Sequence, residues 1–379
     1  MKRAIPKLLA IVLIVTMITA FAAVPVSASS TPNPLAITIN HFLVLDGTNY
    51  APAKEFVFTI ANGAAVNDVS KLPILAGKLN ESFTKRVTYN SSSPVVVSAS
   101  TDPALSGQNV ASGSITIDEI IDPSLYTAPG IYRYTVTETA VSTPYSLIGE
   151  AVKYIDVYVE YPDAAPDTLT VTGAILHDEI VSYDPTTGEA SNTTKTASYI
   201  NKYETNNLTF TKSVTGNQGD KTKFFTFTVK ATAGSVFQDS DKFDITFTNG
   251  AAFHADNNYT NPYVTGNELN TGFKVILKDT SSVQIVGLPE NLSVTVSEDN
   301  EEYVVSFRDA TQYVTTNVSD ASATAAMNGD AAVTFVNDKG GTVPTGILLT
   351  VAPFAVGLLV FGAIVIYLTA KRRRLQDED

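Results

Sequence analysis

Three polar residues stand where strand parity calls for apolar ones. Leu208, Phe210, Lys212 and Val214 alternate along one segment, so Lys212 shares an apolar face. Leu292, Val294, Val296 and Glu298 do the same in a second segment, and Val333, Phe335 and Asn337 in a third. An unpartnered ammonium or carboxylate in a core costs on the order of several kcal/mol, so the three must compensate one another. One arrangement is a buried Lys-Glu ion pair with the asparagine hydrogen-bonded beside it. The other is covalent. Burial lowers the pKa of a lysine and raises that of a glutamic acid, so a proton passes between them and leaves a neutral, nucleophilic amine. Protonated Glu298 would hydrogen-bond and polarise the Asn337 side-chain carbonyl while Lys212 attacks it, releasing ammonia and leaving an amide.

Little else in the chain could do chemistry. There is no cysteine, so no disulfide braces the fold. His41, His177 and His254 are far apart and fit no metal-ligand spacing; they read as surface or satisfied residues, with no metal and no cofactor expected. Neither a Ser-His-Asp arrangement nor a glycine-rich phosphate loop stands out, which makes an extracellular enzyme the weakest reading.

The elements that must position these residues are strands. Phe56 to Ile60, Tyr132 to Val136, Ile155 to Val159, Phe225 to Val229 and Leu292 to Val296 alternate and are rich in β-branched and aromatic residues. Ser, Asn, Asp and Gly separate them, so the expected fold is all-β, two tandem β-sandwiches meeting near Tyr203 to Asn207. The stretches Asn90 to Ser114, Tyr183 to Thr196 and Ser319 to Ala332 read as long exposed loops. An internal repeat supports two domains: Phe56 to Ile60 matches Phe225 to Val229, Thr135 to Glu138 matches Thr295 to Glu298, and Tyr199 to Lys202 matches Phe335 to Asp338, in the same order.

Both ends are addresses rather than fold. Lys2, Arg3 and Lys7 precede the apolar run Leu8 to Val24, and Val26-Ser27-Ala28 suits cleavage of a signal peptide, residues 1–28. At the other end Val343-Pro344-Thr345-Gly346 is followed by the uncharged run 347–370 and by Lys371-Arg372-Arg373-Arg374. The run is long enough to span a bilayer, and the cations stay on the cytoplasmic side. Motif, span and tail together resemble the sorting signal of Gram-positive surface proteins, in which a sortase cysteine attacks the Thr carbonyl and releases the Gly. The motif is the shortened Val-Pro-Thr-Gly form, with Thr342 where that family usually carries Glu or Gln. Between the addresses lie 18 basic and 35 acidic residues, a net charge of −17 that would repel nucleic acid.

Leu208 to Gly216, Val296 to Asp299 and the Thr334 to Asn337 strand leading into the sorting motif resemble the isopeptide-linkage domains of streptococcal T-antigen backbone pilins. The resemblance covers essentially the whole mature chain. It implies two immunoglobulin-like (CnaB-like) domains, 29–204 and 205–340, ahead of the sorting segment 341–379. It further implies a Lys212–Asn337 bond promoted by Glu298, and head-to-tail polymerisation by a sortase that joins Thr345 to a lysine of an identical subunit. Minor pilins and peptidoglycan are the further partners it implies, and a cell-wall pilus, reached through a transient membrane-anchored precursor, is the location.

The first half departs from that pattern. An ungapped match of Leu35 to Asn40 onto Leu208 to Ser213 places Ile39 at the lysine position, so Glu138 and Asn201 remain as a site without its amine. Lys54 could replace it only if its strand ran beside Asn201. In the family the intersubunit acceptor lies shortly before the first-domain asparagine. The matching residue is Lys195, with Lys202 as competitor. The rival to a shaft subunit is a wall-anchored monomeric adhesin that binds through the 90–114 or 319–332 stretch.

Overall fold

The computed structural model describes residues 36–376 apart from 67–73, 164–165, 179–181, 184–189, 192–195, 197, 233–235, 258–260, 300–301 and 342–345. The signal peptide, Val343, Pro344, Thr345 and Lys195 lie outside the described residues.

The first half contains β1 (Ile37–Leu45), β2 (Lys54–Asn62), β3 (Ile74–Ala76), β4 (Phe83–Tyr89), β5 (Val95–Val97), β6 (Asn109–Ile117), β7 (Gly130–Glu138), β8 (Tyr145–Ile148), β9 (Val152–Glu160), β10 (Thr170–His177), the short hairpin β11 (Ser182–Tyr183) and β12 (Ala190–Ser191), and β13 (Ser198–Tyr203). The second half contains β14 (Thr205–Thr215), β15 (Phe225–Ala231), β16 (Lys242–Thr248), β17 (Ala252–Phe253), β18 (Tyr263–Thr265), helix α1 (Gly266–Thr271), β19 (Phe273–Leu277), β20 (Ser282–Pro289), β21 (Ser293–Glu298), β22 (Val304–Arg308), β23 (Val314–Asn317), β24 (Ser322–Ala326) and β25 (Ala331–Asp338).

Each half is a sandwich of two sheets around its own core. In the first half the sheets run β5-β6-β1-β13-β8 and β10-β9-β7-β2-β4, with β3 beside β7. In the second they run β18-β16-β20-β14-β25-β22 and β17-β19-β15-β21-β24-β23. Most neighbours are antiparallel, but the first and last strands of each half pair in parallel, β1 with β13 and β14 with β25. Such a pair cannot close through a short turn, so the whole intervening domain serves as the crossover.

Alternation explains the packing. In β14 the buried residues are Leu208, Phe210, Lys212 and Val214, and in β15 they are Phe225, Phe227, Val229 and Ala231. Phe227 packs against Phe210 and Phe335 with ring centroids 5.9 and 5.1 Å apart. Each buried phenylalanine contributes about 1.5–3 kcal/mol of transfer free energy. In the first half β7 and β9 are buried on both faces. Arg133 forms a doubled hydrogen bond to Asp156, 2.7 Å from Nε and 2.7 Å from Nη2, with His177 3.5 Å from the same carboxylate. Asp156 is fully buried; burial alone would raise its pKa, but the Arg133 guanidinium and the nearby His177 ring together outweigh it and hold it below the usual range.

All three stretches expected to be loops contain strand residues, the 183–196 stretch only the end of β11 and the two residues of β12. The 90–114 stretch holds β5 and the start of β6, and the 319–332 stretch holds β24. Ala321, Ala323, Ala325 and Met327 face the core alternately in the latter, filling space beneath larger neighbours. Their small size made a half-buried strand look like a polar connection. The 319–332 stretch is therefore not a long loop, whereas 98–108, between β5 and β6, is connecting chain that is exposed or half-exposed apart from Leu105.

The two sandwiches meet through polar contacts. Asp241 accepts hydrogen bonds from Ala53 N at 2.7 Å and Gln238 N at 2.8 Å, Asn49 donates to Asp244, and Thr205 Oγ1 donates to the Asp46 carbonyl at 2.7 Å. Beyond β25 the chain is held once more. Asn217 donates to Gly341 O at 2.9 Å and accepts from Gly341 N at 2.7 Å. Gly216, at φ +86°, lies so close to the Lys339 carbonyl that a Cβ there would stand 2.4 Å from its oxygen. Further on, α2 (Gly346–Gln376) contains the stretch Phe354–Arg373, with a mean hydropathy of 2.1 and none of it buried. Its length and composition fit a membrane span.

Candidate functional site

The structure brings Lys212, Glu298 and Asn337 together inside the second sandwich, and all three are buried. Lys212 lies on β14 opposite Phe335 of β25, and Asn337 lies two residues further along β25, opposite Val214, so both side chains enter the core from neighbouring parallel strands. Glu298 approaches from the facing sheet, at the end of β21 and opposite Phe227 of β15. Lys212 Nζ is 3.0 Å from Glu298 Oε2 and 2.9 Å from Oε1, and Asn337 Nδ2 donates to Oε1 at 2.5 Å. One carboxylate therefore holds both the amine and the amide. The walls are aromatic, with Lys212 Nζ 4.6 Å from the centroid of Phe225 and 5.9 Å from that of Phe227.

Burial dominates the electrostatics. It lowers Lys212 to about 8 against the opposing pull of Glu298, and it raises Glu298 against the opposing pull of Lys212. The two shifts converge, which makes transfer of a proton from Lys212 to Glu298 far less costly than in water. Glu298 faces the Asn337 nitrogen rather than its carbonyl oxygen, and Oδ1 has no hydrogen-bond partner. A half-turn of the amide about its Cβ–Cγ bond exchanges the two atoms. As they stand, the acid is next to the nitrogen that would leave.

In the first sandwich the residue in the lysine position is His41, not Ile39. Tyr199, two residues before Asn201, pairs with His41, as Phe335, two residues before Asn337, pairs with Lys212. Ile39 lies two residues earlier on the same face, opposite Ile115 and buried in the apolar core. A shift of two preserves the alternation, so the pattern of β1 alone does not register it against β13.

His41 is buried and doubly hydrogen-bonded, with Nδ1 2.8 Å from Tyr89 OH and Nε2 2.7 Å from Asn201 Oδ1. The Tyr89 hydroxyl also lies 2.9 Å from the His41 carbonyl, an alternative acceptor for the one proton that it gives to Nδ1 when Nε2–H faces Asn201 Oδ1. Burial lowers His41 to about 4, so the ring is neutral at physiological pH. Glu138 is raised by burial to about 7, opposed by Asn201, Lys153 and Lys54 in that order. The Asn201 amide is thus near enough to influence Glu138, yet neither Glu138 oxygen nor Asn201 Nδ2 has a formed hydrogen bond. Lys54 opens β2 in the opposite sheet, with Nζ 4.8 Å from the centroid of Tyr145, and its strand does not adjoin β13. Sequence reasoning missed His41 and Tyr89. The parity that singled out Lys212 also puts His41 on the face of Ile39, Leu43 and Leu45, and was the available signal.

Of the lysines considered as intersubunit acceptors, Lys202 is engaged, 2.7 Å from Glu204 and 3.4 Å from Asp46. Lys195 lies outside the described residues. The described chain next to it, Thr196, donates its N–H to the Leu176 carbonyl at 3.2 Å. Among the described residues there is no cluster of metal-ligating side chains.

Tandem sandwiches with parallel-paired end strands, an interior Lys-Glu-Asn group and an apolar C-terminal helix define a class of tandem β-sandwich protein, and the chain resembles the streptococcal major pilins within it. It is 27% identical over 368 residues to a pilin of Streptococcus pyogenes serotype M1, an alignment covering 93% of this chain and 96% of that one. The crystal structure of a major pilin from S. pyogenes matches with a TM-score of 0.54 at 21% identity, over 81% of this chain and 99% of the other. A second S. pyogenes major pilin matches with a TM-score of 0.54 at 17% identity, over 80% and 97%. Residues 206–339 match a family model described as a domain of unknown function, DUF7601.

Proposed function

We propose that this chain is the shaft subunit of a covalently assembled, cell-wall-linked pilus. The observation that carries the reading is the likeness to a pilin along nearly the full length of both chains. The Val-Pro-Thr-Gly motif immediately before an apolar, cation-tailed helix supports it. A sortase cleaves between Thr345 and Gly346 and passes the Thr345 carbonyl to Lys195 of another subunit. Minor pilins and peptidoglycan complete the assembly.

Within the second domain Lys212 and Asn337 become joined. Proton transfer to Glu298 leaves the Lys212 amine neutral, and its lone pair attacks Asn337 Cγ. Glu298 passes its proton to Nδ2 and takes one from the attacking nitrogen, the Cγ–Nδ2 bond breaks and one ammonia leaves, so Glu298 acts as a shuttle and ends protonated. The aromatic walls exclude water and hold the reacting groups together. The product removes a charged pair from the core and ties β14 to β25, so a pull on the two ends loads a covalent bond rather than a ladder of hydrogen bonds. The chemistry is confined to the chain's own side chains, and no cofactor takes part. Cells expressing the protein should yield a ladder of high-mass species that survives boiling in detergent. A single wall-bound band would contradict the shaft reading.

A further inference from the structure

The two sandwiches match position by position around their interior polar groups. Lys212 meets Phe225, Phe227 and Glu298, which also holds Asn337, and His41 meets Phe56, Phe58 and Asn201, whose amide lies near Glu138. Glu298 pairs with Phe227 across β21 and β15, and Glu138 pairs with Phe58 across β7 and β2. The His41 ring lies 4.4 Å from the Phe56 centroid and 5.6 Å from that of Phe58, where Lys212 meets the corresponding two rings. Asn201 already directs its side chain at residue 41, and Glu138 stands near its amide with both oxygens unengaged.

We propose that the first domain contains a dormant amide-forming site in which His41 occupies the seat of the nucleophile, Asn201 is the electrophile and Glu138 is the proton shuttle. The inference rests on the reading that Lys212 and Asn337 react. A neutral imidazole held between Tyr89 and Asn201 satisfies the pocket without reacting, because an acylated imidazole is itself a good leaving group and would return to the amide or be hydrolysed. A primary amine in the same seat has no such exit. Its nitrogen would attack Asn201 Cγ, one proton would pass through Glu138 to Nδ2, and ammonia would leave, as in the second domain. Tyr89 would keep a partner, since its hydroxyl proton could turn to the backbone carbonyl of residue 41, 2.9 Å away. The natural first domain therefore has β1 and β13 joined by hydrogen bonds alone.

The test is the intact mass of the folded region 29–341 carrying His41→Lys, with peptide mapping of the new cross-link. The expected result is one ammonia lost by the parent and two by His41→Lys, the second located between residues 41 and 201. The second loss should vanish in His41→Lys combined with Asn201→Ala, and should slow at least tenfold with Glu138→Gln. Ile39→Lys should give no second loss. One ammonia lost by the parent and still one by His41→Lys would overturn the inference while leaving the second-domain reaction standing. No loss in the parent would instead remove the reading on which it rests. A His41→Lys protein whose first domain is degraded by protease while the second remains cross-linked would also overturn it, because the pocket would then be unable to seat an amine.

Discussion

Lys212 Nζ touches both oxygens of Glu298, at 2.9 and 3.0 Å, inside a core where neither side chain is exposed to solvent. A contact of this kind is costly to leave half made. It is also poised to react, because each partner is pushed toward its neutral form.

The reaction should have an alkaline limit. The pair needs one proton between its members. With Lys212 near 8, raising the pH above that value empties both groups and removes the acid that Glu298 supplies to the departing nitrogen. Protein recovered unfolded and refolded at a series of pH values should lose ammonia more slowly above about pH 8. A rate that rises through pH 9 to 10 would contradict the role of Glu298.

Lys212→Ala should be severely destabilising. It removes the amide that ties β14 to β25 and leaves a void where the buried Lys212 stem packed, a loss on the order of 2–5 kcal/mol for the void alone. The melting temperature and protease resistance of the second domain should fall.

In the first domain the relevant titration is that of Glu138. Its folded-state pKa is raised to about 7 from 4.5, so its contribution to stability is present in full at acid pH and is lost as the pH rises through 7. Glutamine mimics the protonated acid and does not titrate. Glu138→Gln should therefore stabilise the first domain progressively from pH 4.5 to 7, by on the order of 2 kcal/mol at the alkaline end after allowance for solvent screening. The lowered pKa of His41 is common to both proteins and drops out of the difference. Thermal unfolding at pH 5 and pH 8 measures it, and an equal effect at both would refute the assignment.

Polymerisation should depend on Lys195. Lys202 is tied to Glu204 and Asp46 at the domain junction, whereas the acceptor must enter a sortase cleft. Lys195→Ala cells should lack the detergent-resistant ladder, and Lys202→Ala cells should retain it. The reverse pattern would transfer the role to Lys202.

What could be read from the chain follows from what alternation encodes. Period two reveals faces, so Lys212, Glu298 and Asn337 were recognisable as inward-pointing polar residues in strands that look otherwise apolar. It does not reveal register to within two residues. Ile39 and His41 have the same parity, and only the pairing of β1 with β13 tells which stands beside Asn201. Composition misleads in a similar way at 319–332, where alternate alanines form a core-facing strand. The Arg133–Asp156 pair was hidden because its strands are covered on both faces, so neither residue breaks an inward alternation.

The most direct test is the intact mass of the folded wild-type region between the two addresses, residues 29–341. One ammonia should be missing, and Glu298→Ala should restore it. A wild-type mass equal to that of the unmodified chain would contradict the cross-link between Lys212 and Asn337.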